Sequence, residues 1–207
     1  MQKQDKKVKS LFRLEQDAIV ARFAKEYNPT FVIELGGDPM NKYKSYFPTE
    51  VVYVLTNISD ECNEIQDITK LTYDDNSVEC ILCISVLQHV FELDKAISEI
   101  IRVLRPGGSA LITNGFLFPI CMDEDYYRLT PAFWKKRLDL ERVSYKLTNL
   151  SGRYGAIENM LNRPYGQYKG LGNIMRKVLA LPFMFLRRFT TIENNYPLGV
   201  GVEIIKK

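Results

Sequence analysis

Residues 31–38 end an apolar run with an acid and two glycines, Glu34-Leu35-Gly36-Gly37. Glycine lacks a Cβ, so it allows a sharp turn and a close approach of the backbone to a ligand. A helix that starts after such a turn favours anionic groups at its N-terminus. The run therefore predicts either a pocket for a nucleotide-like cofactor or a tight turn without a ligand. Asp38, Pro39 and Met40 stand where further glycines of a cofactor loop would be expected.

Two polar residues, Asn57 and Ser85, also stand just past or near the ends of apolar runs that predict strands. Ligands of open α/β sheets bind outside the carboxyl ends of the strands. If these strands are neighbours, Asn57 and Ser85 share a pocket with residues 34–38. The sequence therefore indicates a small-molecule site at one edge of a sheet.

Strand and helix patterns alternate along the chain. The run at 77–86 is continuously apolar, which predicts a strand covered on both faces and a parallel sheet. Seven strands are predicted, over residues 30–35, 51–59, 63–68, 77–86, 109–118, 145–151 and 196–207. Their alternation with helices predicts an α/β, doubly wound fold.

Apolar residues at helical spacing predict four helices, over residues 11–27, 92–105, 130–140 and 174–189. Pro106-Gly107-Gly108 is expected to end the second helix. Thr130 caps the third, with Pro131 in its first turn. The fourth is basic and very apolar, and Pro182 is expected to interrupt or kink it.

Charge is unevenly distributed, although the net charge of +3 is too small to indicate nucleic acid. The N-terminus is basic, and residues 159–192 contain no acid. Two interpretations stay open: solvated basic surfaces, or attraction to an anionic partner such as a membrane surface or a phosphorylated substrate. The basic residues concerned are Lys3, Lys6, Lys7, Lys9, Arg13, Arg163, Lys169, Arg176, Lys177, Arg187 and Arg188.

Four scattered cysteines do not form a zinc pattern. Cys80 and Cys83 form a CxxC within an apolar strand, where positions three apart face opposite sides. The chain has no second CxxC and only one histidine, so no metal is expected. There is no apolar signal region and no run of about 18 apolar residues. Reduced, buried cysteines and a cytoplasmic location are therefore expected.

An ordered set of short motifs in residues 66–113 carries a family resemblance. The motifs are Asp67, Leu71, Asp75-Asn76-Ser77, Val86-Leu87-Gln88-His89 and Leu104-Arg105-Pro106-Gly107-Gly108. This order resembles class I S-adenosylmethionine-dependent methyltransferases with the type 11, ubiE-like methyltransferase domain. The resemblance runs from about residue 31 to residue 130, and loosely to the terminal strand. It implies a Rossmann-like fold, with an antiparallel strand at the C-terminus and S-adenosylmethionine as cofactor.

The resemblance also implies a role for each matching residue. Glu34 would end the first strand, and Gly36 and Gly37 would make room for the methionyl part of the cofactor. The remaining implied contacts are Asn57 at the ribose hydroxyls, Asp67 at the adenine amino group, Ile68 against the adenine ring, and Ser85 and Val86 at the methionyl end.

Two departures from the family pattern matter. Asn57 replaces the usual ribose-binding acid, so it can hydrogen-bond but lacks the charge-assisted pair of a carboxylate. The short stretch between Asn57 and Asp67 predicts that the helix usual between the second and third strands is missing. A similar short form occurs in methyltransferases like those of bacterial glycan-biosynthesis clusters, which often share the later motif at 125–130, Asp-Tyr-Tyr-Arg-Leu-Thr. This second resemblance implies a sugar or glycolipid acceptor.

Four residues are candidates on the acceptor side, each with two interpretations. His89 is either a general base near the sulfonium or a structural residue that shapes the pocket. Many methyl transfers need only proximity and orientation, so no base is required. Tyr126, Tyr127 and Arg128 either bind the acceptor, or pack a loop with the arginine paired to a carboxylate.

The expected architecture is one methyltransferase-like domain over residues 1–207. Its expected parts are a helical cap (1–30), a cofactor-binding core (31–120), an acceptor-side or lid region (121–195) and a terminal strand (196–207). The helix at 174–189 either covers the pocket or rests on a membrane surface, at the inner face of the membrane. The oligomeric state is not indicated by the sequence.

Three function classes compete. The first is methyl transfer to a small-molecule or glycan-type acceptor. The second is a non-catalytic module of the same fold with weakened cofactor binding, because Asn57 and the thin glycine loop depart from the family. A nicotinamide-dependent oxidoreductase is disfavoured, because residues 36–40 do not supply the G-x-G-x-x-G fingerprint.

Overall fold

A computed structural model describes residues 9–38, 43–59, 62–120, 123–162, 171–188 and 197–207 of the 207-residue chain. Within these ranges, the strands are β1 (Phe31–Leu35), β2 (Val52–Asn57), β3 (Glu64–Ile65), β4 (Val78–Ile84), β5 (Leu104–Gly115), β6 (Val143–Leu150) and β7 (Gly199–Lys206). The α-helices are α1 (Leu11–Tyr27), α2 (Leu93–Val103), α3 (Pro131–Leu138), α4 (Arg153–Asn162) and α5 (Leu171–Leu186). Short 3-10 helices span Tyr43–Tyr46 and Leu87–His89.

The strands form one sheet in the order β3-β2-β1-β4-β5-β7-β6. Strands β1 to β5 run parallel. Strand β7 inserts antiparallel between β5 and β6. The predicted α/β, mostly parallel sheet with an antiparallel C-terminal strand is thereby confirmed. Because β1 and β4 are adjacent although β2 and β3 separate them in sequence, the strand order reverses at β1, and the carboxyl ends there border a crevice.

Each face of the sheet has its own apolar core. Helices α2 and α3 cover one face of the sheet, and the side chains of Ile33 and Cys83 point into the core between them. Helix α1 and the 3-10 helix Tyr43–Tyr46 cover the other face, which includes Cys80. The two cysteines of the CxxC therefore do face opposite sides of the sheet, as the strand period requires. Both are buried, and burial raises the pKa of the Cys80 thiol to about 12, so the thiol stays protonated.

Helix α1 begins at an N-cap, where the Ser10 hydroxyl accepts a hydrogen bond from Arg13 N. It ends at Asn28, which adopts the left-handed conformation that closes many helices. A partly buried ion pair fixes the helix to β7: Arg22 donates to both carboxylate oxygens of Glu203, at 2.6 and 3.0 Å. Glu203 is 1 % exposed, and its charge is balanced mainly by Arg22, with the Lys146 ammonium 3.8 Å away. The position of α1 over the sheet is therefore fixed by electrostatics as well as by packing.

Helix α2 ends earlier than the sequence predicts. Pro106-Gly107-Gly108 was expected to end it, but α2 already ends at Val103, and these residues lie at the start of β5. The reason is that other groups satisfy the last carbonyls of the helix. The Lys206 ammonium donates to the carbonyls of Ile101 and Arg102, at 2.6 and 2.9 Å, so the chain turns into the sheet before it reaches the glycines.

Three other predictions about elements differ from the structure. Helix α5 continues through Pro182 without interruption, at a position where the proline ring is exposed. Helix α4 was not predicted. Among the described residues between β1 and β2, a single 3-10 turn replaces the expected helix start. Predictions on Lys3, Lys6, Lys7, Pro39, Met40, Cys121, Arg163, Lys169, Phe189 and Tyr196 concern residues outside the described ranges.

The link between β2 and β3 is short, as predicted. Six residues separate Asn57 from Glu64, and none of the four described ones is helical. Within the described part of this link, no helix covers the carboxyl end of β2.

Candidate functional site

The candidate site lies where the neighbouring strands β1 and β4 end. Gly36 follows β1 with φ +65°, and Ser85 follows β4 with φ +59°, so both adopt the left-handed conformation. For serine this conformation costs of the order of 1 kcal/mol or more, and such residues cluster at functional sites. A Cβ added to Gly36 would lie 2.7 and 2.8 Å from the two methyl carbons of Val86. The structure therefore brings Gly36, Ser85 and Val86 together, as the sequence predicts.

Ser85 is held in place by three hydrogen bonds. Its backbone N–H donates to the Thr113 carbonyl at 2.9 Å. Its hydroxyl accepts from the Gln16 side chain at 2.6 Å, and its carbonyl accepts from the Gln88 side chain at 2.8 Å. These bonds come from α1, β5 and the 3-10 helix, so three elements fix the strained turn.

Gln16 is a site residue that sequence analysis missed. Its amide also donates to the Thr113 hydroxyl at 2.8 Å, and the side chain is 1 % exposed. It therefore ties α1 to the carboxyl ends of β4 and β5. The available signal was a polar side chain on the apolar side of α1, one turn from Phe12 and one turn from Val20.

The buried side chain of Glu34 packs against the turn formed by Gly36 and Gly37. It is 3 % exposed, and the Tyr53 hydroxyl donates to its carboxylate. A Cβ added to Gly37 would lie 2.9 Å from the Glu34 carboxyl carbon. The Gly37 N–H donates to the Thr56 carbonyl at 3.0 Å, and the Thr56 hydroxyl donates to the Glu34 carbonyl at 3.0 Å. A Cβ at position 37 would also lie 2.0 Å from Leu55 Cδ1, so any larger residue there would force both the Leu55 and the Glu34 side chains to shift.

Asn57 uses both ends of its amide within the same turn. Its Nδ2 donates to the Gly37 carbonyl at 2.8 Å, and its Oδ1 accepts from the Ile58 N–H at 2.7 Å. An aspartate could make the second bond but not the first, because a carboxylate cannot donate. The departure from the family's acid therefore has a local reason: the amide fastens the end of β2 to the glycine turn.

Asp67 and Ile68 follow β3 at the same edge of the sheet. One carboxylate oxygen of Asp67 accepts from the Thr69 N–H and from the Thr69 hydroxyl, both at 2.8 Å. These two hydrogen bonds lower the pKa of the carboxyl, so it is charged at neutral pH. Asp67 is exposed, whereas Ile68 is 8 % exposed and belongs to the α2-side core. The carboxylate is thus preorganised and faces solvent.

His89 joins the 3-10 helix to the segment 124–127. Its Nδ1 lies 2.9 Å from the Glu124 carbonyl, and its Nε2 lies 3.2 Å from the Gln88 amide nitrogen. Because an amide nitrogen only donates, these partners assign the proton to Nδ1. The Tyr126 N–H donates to the Gln88 carbonyl at 2.8 Å. Nδ1 of His89 and the Gln88 carbonyl therefore join the two segments, whereas Nε2 of His89 contacts only its neighbour in the 3-10 helix.

The three predicted acceptor-side residues separate into two groups. Tyr126 is 46 % exposed and packs edge-on against Phe91, with ring centroids 5.4 Å apart. The Tyr127 hydroxyl donates to the Phe91 carbonyl at 2.8 Å. Arg128 instead forms a two-point ion pair with Asp125, whose second oxygen accepts at 2.6 Å. The tyrosines thus pack on the loop at 91, and Arg128 faces the strand ends.

Arg128 lines a small cleft of about 10 Å³, enough for about one water molecule, beside the Ser85 turn. The other lining residues are Gln88, Gly115, Phe118 and Asp125. Gln88 is 7 % exposed, and its Oε1 is buried without a hydrogen-bond partner in the structure described. A buried acceptor without a partner costs about 1–3 kcal/mol. The cleft therefore combines an arginine–aspartate ion pair with one oxygen, Gln88 Oε1, that has no hydrogen-bond donor in the structure described.

The described residues contain no group of three or more histidine, cysteine or acidic side chains placed to hold a metal ion. No helix in the described ranges is long and apolar enough to cross a membrane. The arrangement offers backbone turns that permit close approach at β1 and β4, one exposed carboxylate at β3, and a polar cleft beside them. Such a set can bind and orient a ligand.

Comparisons with known proteins support a methyltransferase fold. Residues 49–112, which include β2 to most of β5, match the family model of a methyltransferase domain. A search of curated protein sequences finds no match.

Among solved structures, the [4+2]-cyclase SpnF is 15 % identical with a TM-score of 0.61, covering 94 % of this chain and 80 % of SpnF. A SAM-dependent methyltransferase from Archaeoglobus fulgidus is 10 % identical with a TM-score of 0.56, covering 92 % and 94 %. Phosphoethanolamine N-methyltransferase 2 from Haemonchus contortus, solved with S-adenosyl-L-methionine, is 13 % identical with a TM-score of 0.59, covering 91 % and 52 %. The chain therefore has the Rossmann-like methyltransferase fold.

Proposed function

We propose that this protein transfers a methyl group from S-adenosylmethionine to a small-molecule or glycan-type acceptor. The observation that carries the proposal is the pair of left-handed residues, Gly36 and Ser85, at the carboxyl ends of the adjacent strands β1 and β4. The methyltransferase-domain match over residues 49–112 supports the same reaction class. The fold alone does not decide it, because a [4+2]-cyclase shares this fold.

The residues at the strand ends fit S-adenosylmethionine. Gly36 has no side chain at the end of β1, so a ligand chain can approach its backbone closely. Asp67 offers an exposed, charged carboxylate to the adenine amino group. The bound cofactor would supply an electrophilic methyl on a positively charged sulfur. The protein's own contribution is to align the acceptor with that methyl.

The ribose contact is the weakest part of this fit. Asn57 already donates to Gly37 and accepts from Ile58, so it has one amide hydrogen and one lone pair left for a ribose hydroxyl. We therefore expect weaker cofactor binding than a ribose-binding carboxylate would give. The same observation favours the second candidate function, a non-catalytic module of this fold that acts as a partner protein.

The cleft beside Ser85 is proposed to receive one polar group of the acceptor, because its volume of about 10 Å³ admits a single hydroxyl or amine and not a whole sugar ring. A hydroxyl or amine in it could donate to Gln88 Oε1, which has no other partner in the described structure. The Arg128–Asp125 pair provides a polar wall. Sugar hydroxyls suit this mixture of donors and acceptors, and the resemblance of residues 125–130 to glycan-cluster enzymes supports a glycan or glycolipid acceptor. Tyr126 adds an exposed aromatic ring at the margin, on which a sugar face could pack.

His89 is proposed as a positioning residue rather than a general base. Both ring nitrogens already have partners, and the contact of Nδ1 with the Glu124 carbonyl holds the 3-10 helix against residues 124–126. The alternative, proton abstraction by His89, requires the Gln88 contact to open first. Transfer from a sulfonium can proceed by alignment alone, so the positioning role is sufficient.

Calorimetric titration with S-adenosylmethionine tests the proposal, with NADH as the comparison ligand. Saturable heat with S-adenosylmethionine and none with NADH is expected. No heat at millimolar S-adenosylmethionine would support the non-catalytic module instead. If the cofactor binds, release of S-adenosylhomocysteine should be measured with separate panels of glycans and of small amines. Turnover with the amines alone would contradict the glycan assignment.

A further inference from the structure

Helix α5 carries an unusually apolar exposed side. Single exposed apolar residues are normal on a soluble protein, but a contiguous group marks an interaction surface. Six large apolar side chains of α5 are each between 56 and 62 % exposed, namely Ile174, Met175, Val178, Leu179, Leu181 and Phe185. We call this group the α5 apolar surface. Residues 174, 178, 181 and 185 form one stripe at helical spacing, and 175 and 179 widen it.

The opposite side of α5 attaches the helix to the protein. Ala180 is the one fully buried side chain described on α5. The ring of Phe183 stacks with Tyr154 of α4 at 6.4 Å. Just past the helix, Arg187 forms ion pairs with Glu158 of α4 at 2.9 Å and with Glu15 of α1 at 3.8 Å. The α5 apolar surface therefore faces away from the body of the protein.

The charge around this surface indicates which partner it fits. Helix α5 contains no acidic residue, and neither does the sequence from 159 to 192. Lys177 and Arg188 are both exposed beside the apolar stripe. In a symmetric pair of α5 helices, these cations would have no carboxylate on the partner helix. An anionic lipid surface instead offers both an apolar layer and negative headgroups.

The position of α5 relates this surface to the candidate site. Helix α4 follows β6, and the last residues of β6 and β5, Leu150 and Gly115, both pair with Gly199 of β7. Helices α4 and α5 thus leave the sheet at the same edge as the candidate site. Glu15, which Arg187 contacts, is adjacent in sequence to Gln16 at the Ser85 turn.

We propose that α5 docks this protein on anionic bilayer surfaces, with the helix lying in the plane of the headgroups. The carboxyl edge of the sheet would then lie near the lipid, where a membrane-anchored acceptor could reach it. This inference goes beyond the proposed methyl transfer and holds whether or not the protein is catalytic, since it concerns binding to the bilayer alone.

Co-sedimentation with vesicles tests the proposal on the full chain. Vesicles of phosphatidylcholine alone are compared with vesicles in which phosphatidylglycerol replaces a third of the lipid. Binding to the anionic vesicles is expected, with weaker binding to the neutral ones. A Lys177→Glu variant should bind the anionic vesicles at least about fivefold more weakly, since each cation near such a surface contributes about 1 kcal/mol.

A matched pair of variants tests the apolar part. Val178→Ser/Leu181→Ser removes two members of the α5 apolar surface and should weaken vesicle binding at least about tenfold, because both side chains would be buried in lipid. Leu140→Ser removes an apolar side chain that is 74 % exposed outside α5 and should leave binding unchanged. Absence of binding to anionic vesicles, or equal binding by both variants, would overturn the proposal. So would a wild-type dimer that becomes monomeric in the double variant, measured by light scattering.

Discussion

Replacing Gly36 with alanine separates two costs that the structure predicts at the candidate site. The first is backbone strain, because Gly36 has φ +65°, and a left-handed conformation costs an alanine about 1–2 kcal/mol. The second is steric, because the new Cβ would lie 2.7 Å from a methyl carbon of Val86. Overpacking of this kind costs about 1–3 kcal/mol. The free energy of unfolding should therefore fall by about 2–5 kcal/mol in total, as the sum of these two ranges.

Gly107 provides a matched control for the first cost. It also has a left-handed conformation, with φ +76°, but a Cβ added there would meet no atom within 4 Å. Gly107→Ala should therefore lose about 1–2 kcal/mol through strain alone. The difference between the two glycine variants, measured by urea denaturation, gives the steric cost at Gly36.

A second substitution checks that Val86 is the source of this steric cost. In a Val86→Ala background the extra methyl has room, so the effect of Gly36→Ala should fall to that of Gly107→Ala. If S-adenosylhomocysteine binds beside this turn, Gly36→Ala should also weaken its binding in calorimetry. The reasoning would be refuted if Gly36→Ala cost no more than Gly107→Ala, or if the Val86→Ala background left its cost unchanged.

Three further substitutions test the supports of the site. Gln16→Leu removes two hydrogen bonds that tie α1 to the ends of β4 and β5. It should lower the free energy of unfolding by about 1–3 kcal/mol, measured by urea denaturation. An unchanged denaturation midpoint would contradict this prediction. Arg22→Met leaves the buried Glu203 carboxylate with only Lys146 nearby and should lower the free energy of unfolding by about 1–3 kcal/mol, since Arg22 itself is partly exposed. Adding Glu203→Gln should recover most of this loss, and failure of that recovery would count against the ion pair. The hydrogen bonds from Arg102 lower the pKa of Glu99 below its ordinary 4.5, so this group stabilises the fold above pH 4.5 and the stabilisation is lost as the pH falls through the native pKa. Glu99→Gln should therefore flatten the loss of stability below pH 4.5, and an unchanged acid profile would refute this.

Local sequence patterns were sufficient for most elements of the sheet. The continuous apolar run at β4 predicted a strand covered on both faces, and α1 and α2 cover those faces. Thr130 and Pro131 predicted the start of α3, where the threonine hydroxyl accepts from Phe133 N at 3.1 Å. These features depend on residues close in sequence, so spacing alone reveals them.

Contacts between distant residues could not be read from the sequence. Gln16 meets Ser85 across 69 positions, and nothing in either segment identifies the other. Asn57 looked like a weakened ribose ligand, but its amide fastens the glycine turn. Helix α4 was missed because its buried side includes Glu158 and Asn159, whose polarity hides the apolar pattern of a helix packed against α1 and α5.

Hydrogen exchange in the presence of S-adenosylhomocysteine tests most directly whether an adenosyl cofactor binds at the ends of β1 and β4. At saturating ligand, exchange should slow in peptides that cover residues 34–38 and 85–89, and in the peptide that contains Asp67. Peptides from β6, at the far edge of the sheet, should not change. Unchanged exchange at 34–38 and 85–89, or slowing confined to other segments, would contradict the proposed site.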